Sequence, residues 1–104
     1  MRFAMNKGAL EVPASLQQAI ERKLRKVERR LKRYHPGTAD IRMHLQRRAE
    51  AGRYECTIRL TAFRESLHAS KAAADLRGAV DRSFDALMRE LDRYRIKINK
   101  SLQP

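Results

Sequence analysis

The sequence predicts an α+β fold in the order β-α-β-β-β-α: a two-layer sandwich in which a four-stranded sheet carries two long helices packed on one face. Three observations predict it. In two long segments apolar residues recur every three or four positions, the spacing of a one-sided helix. Between those segments they alternate with polar residues, the spacing of strands with one buried face. Hairpin-connected strands and one-sided helices then bury their apolar surfaces against each other in two layers. The 104 residues, 42% of them hydrophobic, suffice for one domain with one modest core.

Residues 1–7 read as a short strand with Phe3 and Met5 on one face, punctuated by Gly8. Val12-Pro13 marks a boundary, because proline is tolerated in the first turn of a helix but not inside it. From Pro13 to Tyr34 a helix is predicted, with Leu16, Ile20, Leu24, Val27, Leu31 and Tyr34 on one stripe. His35-Pro36-Gly37 ends it, since proline disfavours helix in the residue before it. Period two follows: Ile41, Met43 and Leu45 alternate with Asp40, Arg42, His44 and Gln46. Arg48 to Arg53, with Gly52, reads as a hairpin loop into a strand carrying Tyr54, Cys56, Ile58, Leu60 and Ala62 on its inner face. Arg64-Glu65 reads as a tight turn into a short strand, Ser66 to Ser70, with Leu67 and Ala69 inward. A second helix is predicted over Lys71 to Asn99, its stripe formed by Leu76, Val80, Phe84, Leu87, Leu91, Tyr94 and Ile98.

Charge is the strongest compositional signal. Lys and Arg number 24 against 12 Asp and Glu, a formal net charge of +12 that repels itself in a compact chain. A polyanionic partner is its simplest explanation, nucleic acid before an anionic membrane surface. The single Cys56 excludes an intrachain disulfide, the first residues lack a signal-peptide apolar region, and no apolar run reaches about 18 residues. A cytoplasmic location is expected.

Helical geometry places the charge. At about 100° per residue, Arg22, Arg25, Lys26, Arg29 and Arg33 fall on the side opposite the first helix's apolar stripe, with Lys23, Arg30 and Lys32 beside them. A merely solvated face mixes both signs, because like charges three or four apart repel. On the second helix Arg82, Arg89, Arg93 and Lys100 point away from the apolar stripe, with Lys97 beside them and Asp81, Asp85 and Asp92 on one flank. Asp85–Arg89, and Asp92 between Arg89 and Arg93, are the expected ion pairs. Two such helices side by side would join their basic faces into one broad patch suited to structured RNA. The outer sheet face, with Arg42, His44, Gln46, Thr57 and Arg59, offers Phe63 as its one candidate aromatic, so base stacking there is not expected.

Chemistry finds no foothold. His35, His44 and His68 lack metal-ligand spacing, and Cys56 lies on an inward strand position without a partnered base. Glu50, Glu55 and Glu65 show no nuclease spacing, and the four glycines form no phosphate loop. No catalytic residue, metal, cofactor or small-molecule substrate is expected.

The residues also resemble a known family. Ala73-Ala74-Asp75-Leu76-Arg77-Gly78-Ala79-Val80-Asp81, Phe84-Asp85-Ala86-Leu87 and Arg89-Glu90-Leu91-Asp92-Arg93-Tyr94-Arg95 are similar to the last helix of ribosome hibernation promoting factors, also called ribosome-associated inhibitor A or sigma-54 modulation proteins. Leu10-Glu11-Val12-Pro13-Ala14-Ser15-Leu16 and Ile20-Glu21-Arg22-Lys23-Leu24 resemble that family's entry into the first helix, and Gly8 the glycine closing its first strand. Arg77 stands where the family often has an aromatic, and the Gly8–Leu16 segment is one residue short of the family pattern. The resemblance covers nearly the whole chain and implies the short form, a single ribosome-binding domain over residues 1–104 without the C-terminal domain that pairs ribosomes. It implies a non-enzymatic, ribosome-associated translation inhibitor. Such a factor occupies the tRNA and mRNA cleft of the small (30S) subunit, contacts 16S rRNA, and keeps 70S ribosomes idle under stress or in stationary phase. Arg22, Lys23, Lys26, Arg82, Arg89 and Arg93 would then meet rRNA phosphates. The alternatives are a general double-stranded RNA-binding module acting off the ribosome, a module binding an acidic protein segment, and, least supported, an RNA hydrolase.

Overall fold

The structure, a computed structural model, describes residues 1–34, 39–49, 52–62 and 65–102, the side chains of Tyr34 and of residues 95–102 excepted. The elements are β1 (Arg2–Asn6), α1 (Ala14–Tyr34), β2 (Ala39–Arg48), β3 (Arg53–Ala62), β4 (Glu65–Ala73) and α2 (Leu76–Leu102). The predicted order β-α-β-β-β-α holds. The sheet runs β1-β2-β3-β4, mixed in sense: β1 pairs parallel to β2, the other pairs are antiparallel. A parallel neighbour needs a crossover, which α1 supplies, whereas β2, β3 and β4 are joined by short connections.

Register fixes which side chains face the helices. Ile41 lies opposite Leu60, Met43 opposite Ile58 and Leu45 opposite Cys56, all buried. Ala69 and Ala73 extend this face into β4 and Leu67 is half-buried there. The predicted stripes close the core from the other side with Leu16, Ile20, Leu24, Val27 and Leu31 of α1 and Val80, Phe84, Leu87 and Leu91 of α2. Each large side chain so buried contributes about 1.5–3 kcal/mol. Both helices lie on this one face, and the alternate residues Arg42, His44, Gln46 and Arg59 are exposed on the other. Phe3 shares the inner face with Ile41 but keeps 39% of its surface, because β1 is an edge strand.

Three local devices set the boundaries. After β1 the Gly8 amide donates to Asn6 Oδ1 at 3.2 Å, and Gly8 takes φ 56°, a left-handed conformation that favours glycine. Gly52 does the same at φ 59° in the β2–β3 hairpin. The third overturns an expectation. The second helix starts at Leu76, not Lys71, because β3 is long enough to pair Lys71, Ala72 and Ala73 with Cys56, Glu55 and Tyr54. Asp75 then caps α2: its Oδ1 accepts the Gly78 amide at 2.7 Å. A Cβ at Gly78 would lie 2.5 Å from that oxygen and 3.1 Å from Ala73 Cβ, so glycine lets cap and strand end sit close.

Candidate nucleic-acid interface

Helix α1 carries the basic surface. Arg22, Arg25, Lys26, Arg29 and Arg33 are exposed, and none makes an ion pair with a described acid. Like charges at this spacing repel by a few tenths of a kcal/mol per pair, so the row costs stability in the isolated chain. Lys32 differs, being held 3.5 Å from Glu28 one turn earlier.

Helix α2 places its charges unlike the expectation. Asp81, Asp85 and Asp92 share the flank that faces α1, and two of them reach across. Asp81 meets Lys23 Nζ at 3.0 Å, and Asp92 receives Arg30 Nη1 at 3.2 Å and 3.3 Å through its two oxygens. Lys23 also stands 6.0 Å above the Phe84 ring. The expected single basic patch is therefore divided by a seam of two ion pairs, with Asp85 exposed on the same flank. Asp92 does not bridge Arg89 and Arg93. Arg93 instead pairs with Glu90 at 2.9 Å.

The remaining predicted positions fall as follows. Arg82 and Arg89 are exposed on α2, and Arg82 Nη1 donates to the Ala72 carbonyl at 3.2 Å. The side chains of Lys97 and Lys100 lie outside the described residues, as do His35, Glu50 and Phe63. Of the eleven predicted contacts, five thus form one unpaired row on α1, two are exposed on α2, and two, Lys23 and Arg93, are engaged by acids. The predicted site omits the sheet, yet register sets Arg42 directly opposite Arg59 on its outer face. The hairpin glycine was the signal from which that juxtaposition could have been counted.

Among the described residues no three His, Cys, Asp or Glu side chains cluster as a metal site. Glu55 is tied to Arg48 Nε at 2.8 Å. Cys56 is fully buried, and burial pushes its thiol from 9.0 up to about 11, the Ser83 hydroxyl offsetting part of the rise. Such a thiol is a poor nucleophile at neutral pH. No described helix is long and apolar enough to cross a membrane.

Comparison with known proteins follows this geometry. The family model described as sigma 54 modulation protein / S30EA ribosomal protein matches residues 6–99. The crystal structure of the Thermus thermophilus Protein Y N-terminal domain superposes with a TM-score of 0.71 at 22% identity, covering 90% of this chain and 99% of that one. A ribosomal subunit interface protein from Coxiella burnetii gives 0.66 at 17% identity, covering 92% and 99%. At these identities the two structures speak for the fold. No curated protein matches the sequence.

Proposed function

Because the chain belongs to the sigma 54 modulation protein / S30EA ribosomal protein family, a family of ribosome-associated factors, we propose that it is a hibernation factor that docks on the small ribosomal subunit through the basic face of α1. The observation that carries this reading is the row Arg22, Arg25, Lys26, Arg29 and Arg33, exposed and without a described acid partner. A row of one sign destabilises the free protein and is relieved by an anionic partner, and rRNA phosphates supply one with release of counterions. Arg82 and Arg89 form a second, weaker point of attachment across the seam. Lys97 and Lys100 extend it in the sequence.

By analogy with that family, the docked protein would sit in the tRNA and mRNA cleft and contact 16S rRNA. There it would exclude translation ligands and keep 30S subunits and 70S ribosomes idle in the cytoplasm of stressed or stationary cells. The chemistry needed is occupancy, not catalysis.

Cosedimentation tests it. The protein is expected with small subunits or whole ribosomes from resting cells at moderate salt, and tRNA should compete with it. Absence from those fractions defeats the reading. Equal affinity for an arbitrary RNA duplex at the same salt would replace it with a general RNA-binding role.

A further inference from the structure

The face of the sheet turned from the helices carries an arrangement the helix surface does not explain. Register sets Ala4, Arg42, Arg59 and His68 in one row across all four strands, and Asn6, His44, Thr57 and Ser70 in the next. Arg42 and Arg59 are exposed and directly opposite, so their Cβ atoms lie about 4.5–5.5 Å apart. Like charges so placed destabilise a sheet. No described acid relieves them: Glu55 is taken by Arg48, and Asp40 makes no ion pair with either arginine. Beside them the twisted sheet forms an open depression of about 480 Å³ whose lining includes Asn6, Arg42, His44, Thr57 and Arg59. The hydroxyls of Thr57 and Ser70 meet at 2.9 Å at its side.

We propose that this outer face is a second RNA-binding surface, on which Arg42 and Arg59 hold adjacent phosphates of a single RNA strand. Charge complementarity selects the occupant. Two guanidinium forks face an acid-poor depression, and each matches the geometry of a phosphate. Among the described residues the exposed side chains here include no aromatic, and the arginine forks suit the backbone rather than the bases. The strand would lie across the β-strands, with the Thr57–Ser70 hydroxyl pair and His44 beside the phosphates. The protein would then hold RNA on opposite faces, helices on one side and sheet on the other. The inference goes beyond the helix-face reading and does not rest on it.

The test titrates the full chain with a mixed-sequence single-stranded RNA 12-mer over a range of salt. Replacing Arg42→Gln with Arg59→Gln should lower the salt slope by about 1.4, and affinity by roughly 25-fold at 0.1 M salt, at about 0.7 per phosphate. Both side chains are exposed and mutually repulsive, so melting temperature should hold or rise. A control of equal charge, Lys71→Gln with Arg77→Gln, should leave affinity within about twofold. On the unsubstituted chain the Nε–Hε signals of Arg42 and Arg59 should shift on adding RNA. Equal losses in the two double variants, unmoved Nε–Hε signals, or the same response to polyglutamate overturns the proposal. A chain that misses ribosomal fractions yet gives these shifts loses the function proposed above and keeps this one.

Discussion

Reversing three charges on α1 separates the unpaired row from the rest of the basic surface. Arg22, Lys26 and Arg29 are exposed and bound to no described acid, so Arg22→Glu, Lys26→Glu and Arg29→Glu together should leave the fold within about 0.5 kcal/mol of the parent. If each of the five cations in the row neutralises one phosphate of structured rRNA, log K should fall with log salt at a slope near −4.5, about 0.9 per contact. Removing three contacts brings the slope to about −1.8 and costs roughly 500-fold in affinity at 0.1 M salt, before any added repulsion. The paired cations supply the contrast. Lys23→Gln removes a charge already compensated by Asp81, so it should change the slope by well under one unit. Binding of labelled small subunits at five salt concentrations, with circular dichroism of each variant, reads all of this. A slope unchanged in the triple variant, or a Lys23→Gln loss equal to that of Arg29→Gln, would refute the division into free and compensated cations.

Other outcomes follow from the same structure. Asp81→Asn with Asp92→Asn frees Lys23 and Arg30 and removes two acids between the basic rows; subunit affinity should rise, while stability in urea falls by about 1 kcal/mol or less, these pairs being half-exposed. Ser83→Ala deletes a buried 2.7 Å hydrogen bond to the Cys56 carbonyl and should cost about 1–2 kcal/mol in urea unfolding. Asp75→Ala removes the α2 cap and should cost about 1 kcal/mol, read as a lower melting temperature. The buried thiol of Cys56 has its folded pKa raised from 9.0 to about 11, so the stability it gives is whole below pH 9 and lost as pH climbs through 11. Relative to Cys56→Ala, the native protein should lose about 2 kcal/mol between pH 8 and pH 11, and a thiol reagent at pH 8 should react only after unfolding.

Periodicity within one element is a local property, and it was legible. The stripe Leu16, Ile20, Leu24, Val27 and Leu31 became the buried face of α1, and Ile41, Met43 and Leu45 the buried face of β2. The α2 boundary was not, because Lys71, Ala72 and Ala73 suit a helix as well as a strand; only β3 running beside them decides the matter. Asp75 was the available signal, a capping residue immediately before the first apolar position of α2.

By itself the sequence determined the element order, the side each element buries, and the concentration of unopposed cations on one face of α1, since all three follow from spacing along a single segment. Tertiary structure alone decided how α2 is rotated against α1, and with it that Asp81 and Asp92 face Lys23 and Arg30 rather than their own helix's arginines. It also decided that β1 lies parallel beside β2 and that Arg42 meets Arg59. These contacts join residues far apart in the chain, and their partners are set by how the core packs and how strands register, which no local repeat encodes.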